Sequence, residues 1–340
     1  MNSVAFYIGN IVIYWNGIVI ALGILAGFFL STAIYTAHSG RGAAMWAFLP
    51  LAVVLSVFFT RLLHYFCYPD QYTGGFIRAL FSYSEGSFCL PGAIPGILLA
   101  GLSVSAIGFA DTTGDILDAA APGTALAFAF VRLSALFNNT IRGKIVITNP
   151  SLQHLPLASS IKDAAGKVTW RFASFFVSFM LLVLVAIALI LVYYRNHNVQ
   201  MKRPCRRDGN IARLGLVLWG VAEIVCESTR FDAPHLKFSS GNALGRLLTK
   251  AAGFVGTNMV IAAVCILCVF VHYSKMSVRA NGVKPKHWIL WVGFVLSLAC
   301  VGGAEYLYQR FAYVWLYGVM AAGIVGWIIV NFAMFRTCRK

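Results

Sequence analysis

Nine runs of mostly apolar residues, each close to the length needed to cross a bilayer, limit what this chain can fold into. They fall near residues 17–36, 44–67, 91–109, 118–138, 172–194, 211–228, 250–273, 287–305 and 311–335. A crossing takes about 20 apolar residues, because a helix rises ~1.5 Å per residue through roughly 30 Å of hydrocarbon and lipid offers no partner to an unpaired amide. Only 11% of the 340 residues are charged and 59% are hydrophobic, where soluble chains carry roughly 25% charged residues. The expected fold is all-α: a polytopic membrane helical bundle of about nine transmembrane helices, with a small extracytoplasmic insert. A soluble globular enzyme is excluded. The eight cysteines are scattered, and those inside apolar runs (Cys226, Cys265, Cys268, Cys300) read as small core residues.

The net charge of +16 follows from topology. Arg41, the run Arg195 to Arg213, Lys275 to Lys286, and Arg336 to Lys340 fall on one side of the nine crossings, which the positive-inside rule makes the cytoplasm. The N-terminus is then extracytoplasmic and the C-terminus cytoplasmic. Anionic headgroups, not nucleic acid, are the partners such charge implies. No Lys or Arg precedes Arg41, so the first run has no basic region before it and does not read as a cleaved signal peptide. Two loops on the outer side are basic as well: 139–171 holds Arg142, Lys144, Lys162, Lys167 and Arg171, and 229–250 holds Arg230, Lys237, Arg246 and Lys250. Pro150, Pro156 and the Asp163/Gly166 turn signals give the first of these a small folded insert of short strands or turns.

Ionisable groups inside a span are costly, about 2.5–3.5 kcal/mol for a central Arg on insertion scales, so they face partners or a polar cavity. Arg61 breaks the second run, with His64 at i+3 on the same face; Arg132 lies near the end of the fourth, before Asn138, Asn139 and Thr140. Glu223 and Glu227 are one turn apart on the sixth, with Arg230 just beyond. Two readings stay open. One is an Arg–Glu network that holds helices together. The other is a pocket for a lipid headgroup, where guanidinium forks grip phosphate oxygens and Gly143 admits backbone amides to the same anion. His64 is either a packing residue or a base.

The segments YWNGIVIALGILAGF (Tyr14 to Phe28), TRLLHYF (Thr60 to Phe66), EGSFCLPGAIPGILLAG (Glu85 to Gly101), DAAAPGTALAFAFVRLSALFNNTIRGK (Asp118 to Lys144) and WGVAEIVCESTRFD (Trp219 to Asp232) occur in an order and spacing that resembles the bacterial prolipoprotein diacylglyceryl transferase family. The resemblance runs over roughly residues 10–273. It implies transfer of the diacylglyceryl group of phosphatidylglycerol to the lipobox cysteine thiol of a preprolipoprotein, without metal or cofactor, in the bacterial cytoplasmic membrane. It makes the preprolipoprotein signal peptide the second partner. Arg132 falls on the signature arginine and would bind the phosphate; Asn138, Gly143, Arg61, Glu227 and Arg230 also fall on family positions, while Asp118 and Pro122 match a structural lead-in. The catalytic set implied is Arg132, Arg61 and Glu227, and the substrate-binding set Arg132, Asn138, Gly143 and Arg230. The family histidine falls on Leu90 or Cys89, and Ala135, Thr140, Asn16, Trp219 and Glu223 replace other signature residues, which leaves His64 as the candidate base. Residues 1–273 then form a transferase-like domain, and 274–340 add two further spans. A catalytically degenerate protein that binds phospholipid or lipoprotein is the alternative; a solute transporter ranks last, because no two halves share matching interruptions.

Overall fold

The structure, a computed structural model, describes residues 4–9, 11–39, 42–68, 72, 76–81, 88–110, 112–138, 140–162, 168–200, 209–233, 256–311 and 313–337. Arg41, Asn139, Asp163, Gly166, Lys167, Lys202, Arg203, Arg206, Arg207, Lys237, Arg246, Lys250, Arg339 and Lys340 lie outside the described residues.

The protein is a polytopic membrane helical bundle. Each of the nine apolar runs is helical over most of its described residues: α1 (Trp15–Ser39), α2 (Ala43–Cys67), α4 (Ala93–Ala106), α5 (Thr113–Asn138), α7 (Ser174–Gln200), α8 (Asn210–Thr229), α9 (Thr257–Asn281), α10 (Pro285–Phe311) and α11 (Leu316–Thr337), with α3 (Phe76–Phe81) and α6 (Pro150–Gln153) as short additions. Seven of them are long and apolar enough to cross a membrane. The other two fall short for reasons visible in the sequence. Pro91 sits in a 3-10 turn (Leu90–Gly92) that delays α4, which is left with 14 residues, and α8 carries Arg213, Glu223 and Glu227.

The chain divides into two compact units, Met1–Asp232 and Ala233–Lys340. In the first, α1 and α5 approach so closely that a Cβ added at Gly123 would lie 2.1 Å from the Gly27 carbonyl and from Ser31 Oγ. Small residues permit such approaches in lipid, where helix association depends on packing. Gly96 does the same for α4 on α2, with Ser56 N 2.6 Å from its virtual Cβ. Asp118, inside α5, accepts the Gly209 and Ala212 amides at 2.9 and 2.7 Å and so caps the start of α8. Asp118 is thus structural. At the opposite ends of these helices, Trp15 stacks on Phe137, and the Cys89 amide donates to the Thr60 carbonyl at 3.2 Å.

Two hairpins complete this end. The insert contains β3 (Ala158–Lys162) and β4 (Val168–Phe172), antiparallel from Ala158↔Phe172 to Lys162↔Val168, as the turn signals led one to expect. The N-terminal β1 (Val4–Ile8) and β2 (Ile11–Tyr14) were not foreseen. Their β-branched and aromatic residues favour strands, and Gly9 takes the turn at φ +57°.

In the second unit Phe270 stacks on Phe294 at 4.5 Å, with Trp327 fully buried beside it. A polar stitch joins the helix ends. Lys284 N donates to His287 Nδ1, and Ser277 Oγ shares a 2.8 Å bond with His287 Nε2 and donates to Thr337 Oγ1 at 2.8 Å.

Candidate functional site

The last turns of α5 and α8 bring charge together below the insert. Arg132 and Glu223 are 3% and 1% exposed, and Arg132 Nη2 donates to both carboxylate oxygens of Glu223. One turn on, Glu227 accepts from Arg230 Nη1 at 2.7 Å. The i, i+4 spacing of the two glutamates puts both acids on the α8 face that meets α5. α8 ends at Arg230, whose backbone is extended, and the guanidinium turns to Asp232, with Nε 3.0 Å from Oδ1. Burial alone would lower the Arg230 guanidinium, but Glu227 and Asp232 hold it protonated well above its usual value. Burial likewise pushes the Asp232 carboxyl up, and the Arg230 hydrogen bond and charge outweigh this and hold it below 3.8.

The segment after α5 is stitched to this loop. Gly143 pairs antiparallel with Arg230, Phe231 N donates to the Arg142 carbonyl at 2.7 Å, and Lys144 N donates to the Thr229 carbonyl at 2.8 Å. Gly143 N also donates to the Phe172 carbonyl at 2.6 Å, and a Cβ here would sit 2.7 Å from Phe172, so only glycine fits without displacement. Ile141 takes φ +57°. Such a conformation persists in a bulky residue only when its surroundings impose it. Here Asp232 Oδ2 accepts its amide at 3.0 Å, and its carbonyl accepts Phe175 N at 3.2 Å.

Arg61 and His64 occupy a separate aromatic nest. The Arg61 guanidinium, 1% exposed, lies 4.9 Å from the centroid of Tyr72 and 5.6 Å from that of Phe88. His64 Nδ1 and Tyr72 Oη share a 2.7 Å hydrogen bond, and the imidazole packs on Tyr68 at 4.8 Å. The nest adjoins the charge cluster, since Tyr68 feels the charges of both Arg230 and Glu227; burial, the largest influence, pushes its phenol up.

A cavity of about 330 Å³ runs between α1, α2, α4 and α5. It is walled by apolar side chains such as Ile24, Phe48 and Ile97. Along α2 it extends from Met45 to Thr60, about 22 Å of helix. Its upper end reaches Thr60, Phe88 and Val131, which directly precede or cover Arg61 and Arg132.

The family model described as prolipoprotein diacylglyceryl transferase covers residues 3–273. The chain belongs to that family. It is 29% identical over 147 residues to a phosphatidylglycerol–prolipoprotein diacylglyceryl transferase of Oceanobacillus iheyensis, and 31% over 146 residues to one of Parasynechococcus marenigrum. Each alignment covers 42% of this chain and 50% of the relative, so the chain spans about half the length of the curated relatives it matches.

Of the residues singled out from the sequence, Arg132, Glu227, Arg230 and Gly143 gather around the ends of α5 and α8, and Arg61 with His64 forms the neighbouring nest. Asn138 is exposed at the last residue of α5 and joins none of these pairs. The sequence did not point to Tyr72 or Tyr68, which come from a loop and a helix end with no motif of their own, and Phe88 was quoted only within the Glu85 to Gly101 segment. Asp232, quoted only as the end of a motif, holds Arg230 and Ile141 together.

Proposed function

We propose that this protein transfers the diacylglyceryl group of phosphatidylglycerol to the cysteine thiol of a preprolipoprotein. The observation that carries this reading is the long apolar cavity whose end is lined by Thr60 and Val131, the residues that precede Arg61 and Arg132, and by Phe88, whose ring lies under Arg61. It offers room for acyl chain, with cations placed beside the position of a headgroup phosphate. In the reaction the cysteine sulfur attacks the glyceryl carbon, the C–S bond forms as the C–O bond to phosphate breaks, and glycerol phosphate leaves with the electron pair. Arg132 and Arg61 offset the charge growing on that leaving group. In the tautomer whose Nδ1–H donates to Tyr72 Oη, His64 has Nε2 open to accept the thiol proton. Orientation of thiol and carbon supplies much of the rate. The site end faces outward from the bacterial cytoplasmic membrane, with the N-terminus on the same side and the C-terminus in the cytoplasm.

The test is transfer of labelled diacylglyceryl from phosphatidylglycerol vesicles to a lipobox peptide by the reconstituted full chain. Wild type transfers label, and Arg132→Ala and Arg132→Lys do not. Lysine keeps the charge but cannot form the two-pronged contact. A wild type that binds phosphatidylglycerol and transfers nothing rejects the reading. That outcome is what the second reading expects: a phospholipid- or lipoprotein-binding descendant, favoured by Cys89 and Leu90 at the family's histidine position and by the pairing of Arg132 Nη2 with both Glu223 oxygens. Complementation of a transferase-depleted strain separates the two, since binding alone does not restore growth.

A further inference from the structure

A second cavity, about 80 Å³, lies between α4, α5, α7 and α8, with Ile94, Leu117, Leu189 and Trp219 in its wall. It shares Thr124 and Phe128 with the larger cavity, so a thin partition separates two apolar branches. Trp219 is 4% exposed and packs edgewise on Phe128, ring centroids 6.4 Å apart. Among the described residues its indole Nε1–H has no hydrogen-bond partner. A buried donor left without an acceptor is expensive, and native structures seldom keep one unless something else supplies the acceptor.

Trp219 stands one turn before Glu223 on α8, and Phe128 one turn before Arg132 on α5. Both therefore lie about 6 Å deeper than the Arg132–Glu223 pair. A glycerophospholipid with its phosphate level with Arg132 carries its ester carbonyls at that depth, where its two chains diverge.

We infer that Trp219 Nε1 donates a hydrogen bond to an ester carbonyl of the bound lipid, with one acyl chain entering the small branch and the other the large one. Trp219 is thus a specificity-determining residue that selects ester-linked over ether-linked lipids. This deepens the lipid-binding part of the function proposed above and rests on it. The mechanism of discrimination is simple: an ether-linked chain has no carbonyl oxygen, so the indole donor stays unpaired in its complex.

The experiment compares binding of diacyl phosphatidylglycerol and its dialkyl ether analogue to the full chain in detergent micelles. Wild type is expected to prefer the diacyl lipid about fivefold or more. Trp219→Phe keeps an aromatic ring against Phe128 and is expected to bind both lipids at the ether analogue's affinity. Equal binding by wild type, or an undiminished preference in Trp219→Phe, overturns the inference. If the variant does not fold, the wild-type indole N–H resonance decides: it shifts downfield with the diacyl lipid and not with the ether, and an identical response to both overturns the proposal. Transfer to a lipobox peptide is followed in parallel. Lost transfer with intact preference rejects only the transferase reading, whereas transfer without preference rejects only the role of Trp219.

Discussion

Arg132 gives its Nη2 to both carboxylate oxygens of Glu223, and the two form a buried ion pair. Removing either leaves a bare charge in a low-dielectric interior, so Arg132→Ala is expected to destabilise by about 3–5 kcal/mol in denaturant unfolding in detergent. The double variant Arg132→Met, Glu223→Leu is expected to recover most of that loss and none of the lipid transfer. Three of the loop arginines that charge counting left unexplained find partners here. Arg142 lies 4.6 Å over Phe175, Arg171 lies 4.3 Å over Phe231, and Arg230 is paired twice. Asp232 gives a pH signature. Its carboxyl is depressed below 3.8 by Arg230, so its contribution is fully present above the ordinary carboxylate value and is lost as pH falls through the lower, folded one. Asp232→Asn is expected to be less stable than wild type near neutrality, with the gap closing below about pH 4; unfolding midpoints of both proteins across that range measure it.

At the scale of elements, contacts between backbones decide the packing. Gly123→Val is expected to force α1 and α5 apart and to cost about 1–3 kcal/mol, because the Gly27 carbonyl and Ser31 Oγ already occupy the space. Gly17→Ala on the same α1 has nothing within 4 Å of its Cβ and is expected to stay within about 0.5 kcal/mol of wild type. Thermal unfolding of both variants in one detergent provides the comparison. The runs on α1, α2, α7 and α9 to α11 were readable as helices because apolarity over 20 or more residues admits no other structure in lipid. The β1–β2 hairpin escaped notice because its strands, of five and four residues, are too short to stand out beside a 25-residue apolar helix. For α4 the apolar count was right and the length wrong, since Pro91 spends the first residues of the run on a 3-10 turn.

One unit bears the candidate site, and the other contributes three long helices among the described residues; the positive-inside rule predicts the orientation. Reporter fusions after Gln200 and after Asn281 are expected to report the cytoplasm, and fusions between Leu152 and Leu157 the opposite side; a reversed pattern contradicts the orientation proposed here. Amino-acid order alone established that the chain spans membranes, where its ionisable residues interrupt the spans, and which family motifs it keeps. It left open whether Glu223 and Glu227 serve one arginine or two, because spacing along a helix gives a face and not a partner. Only the tertiary structure decided that Glu223 takes Arg132 from another helix, that Glu227 takes Arg230 from its own, and that Arg61 and His64 turn to Tyr72. Hydropathy is a local property that each residue carries with it. Pairing of buried charges is set by which helices lie side by side, and that is the result of packing over the whole unit.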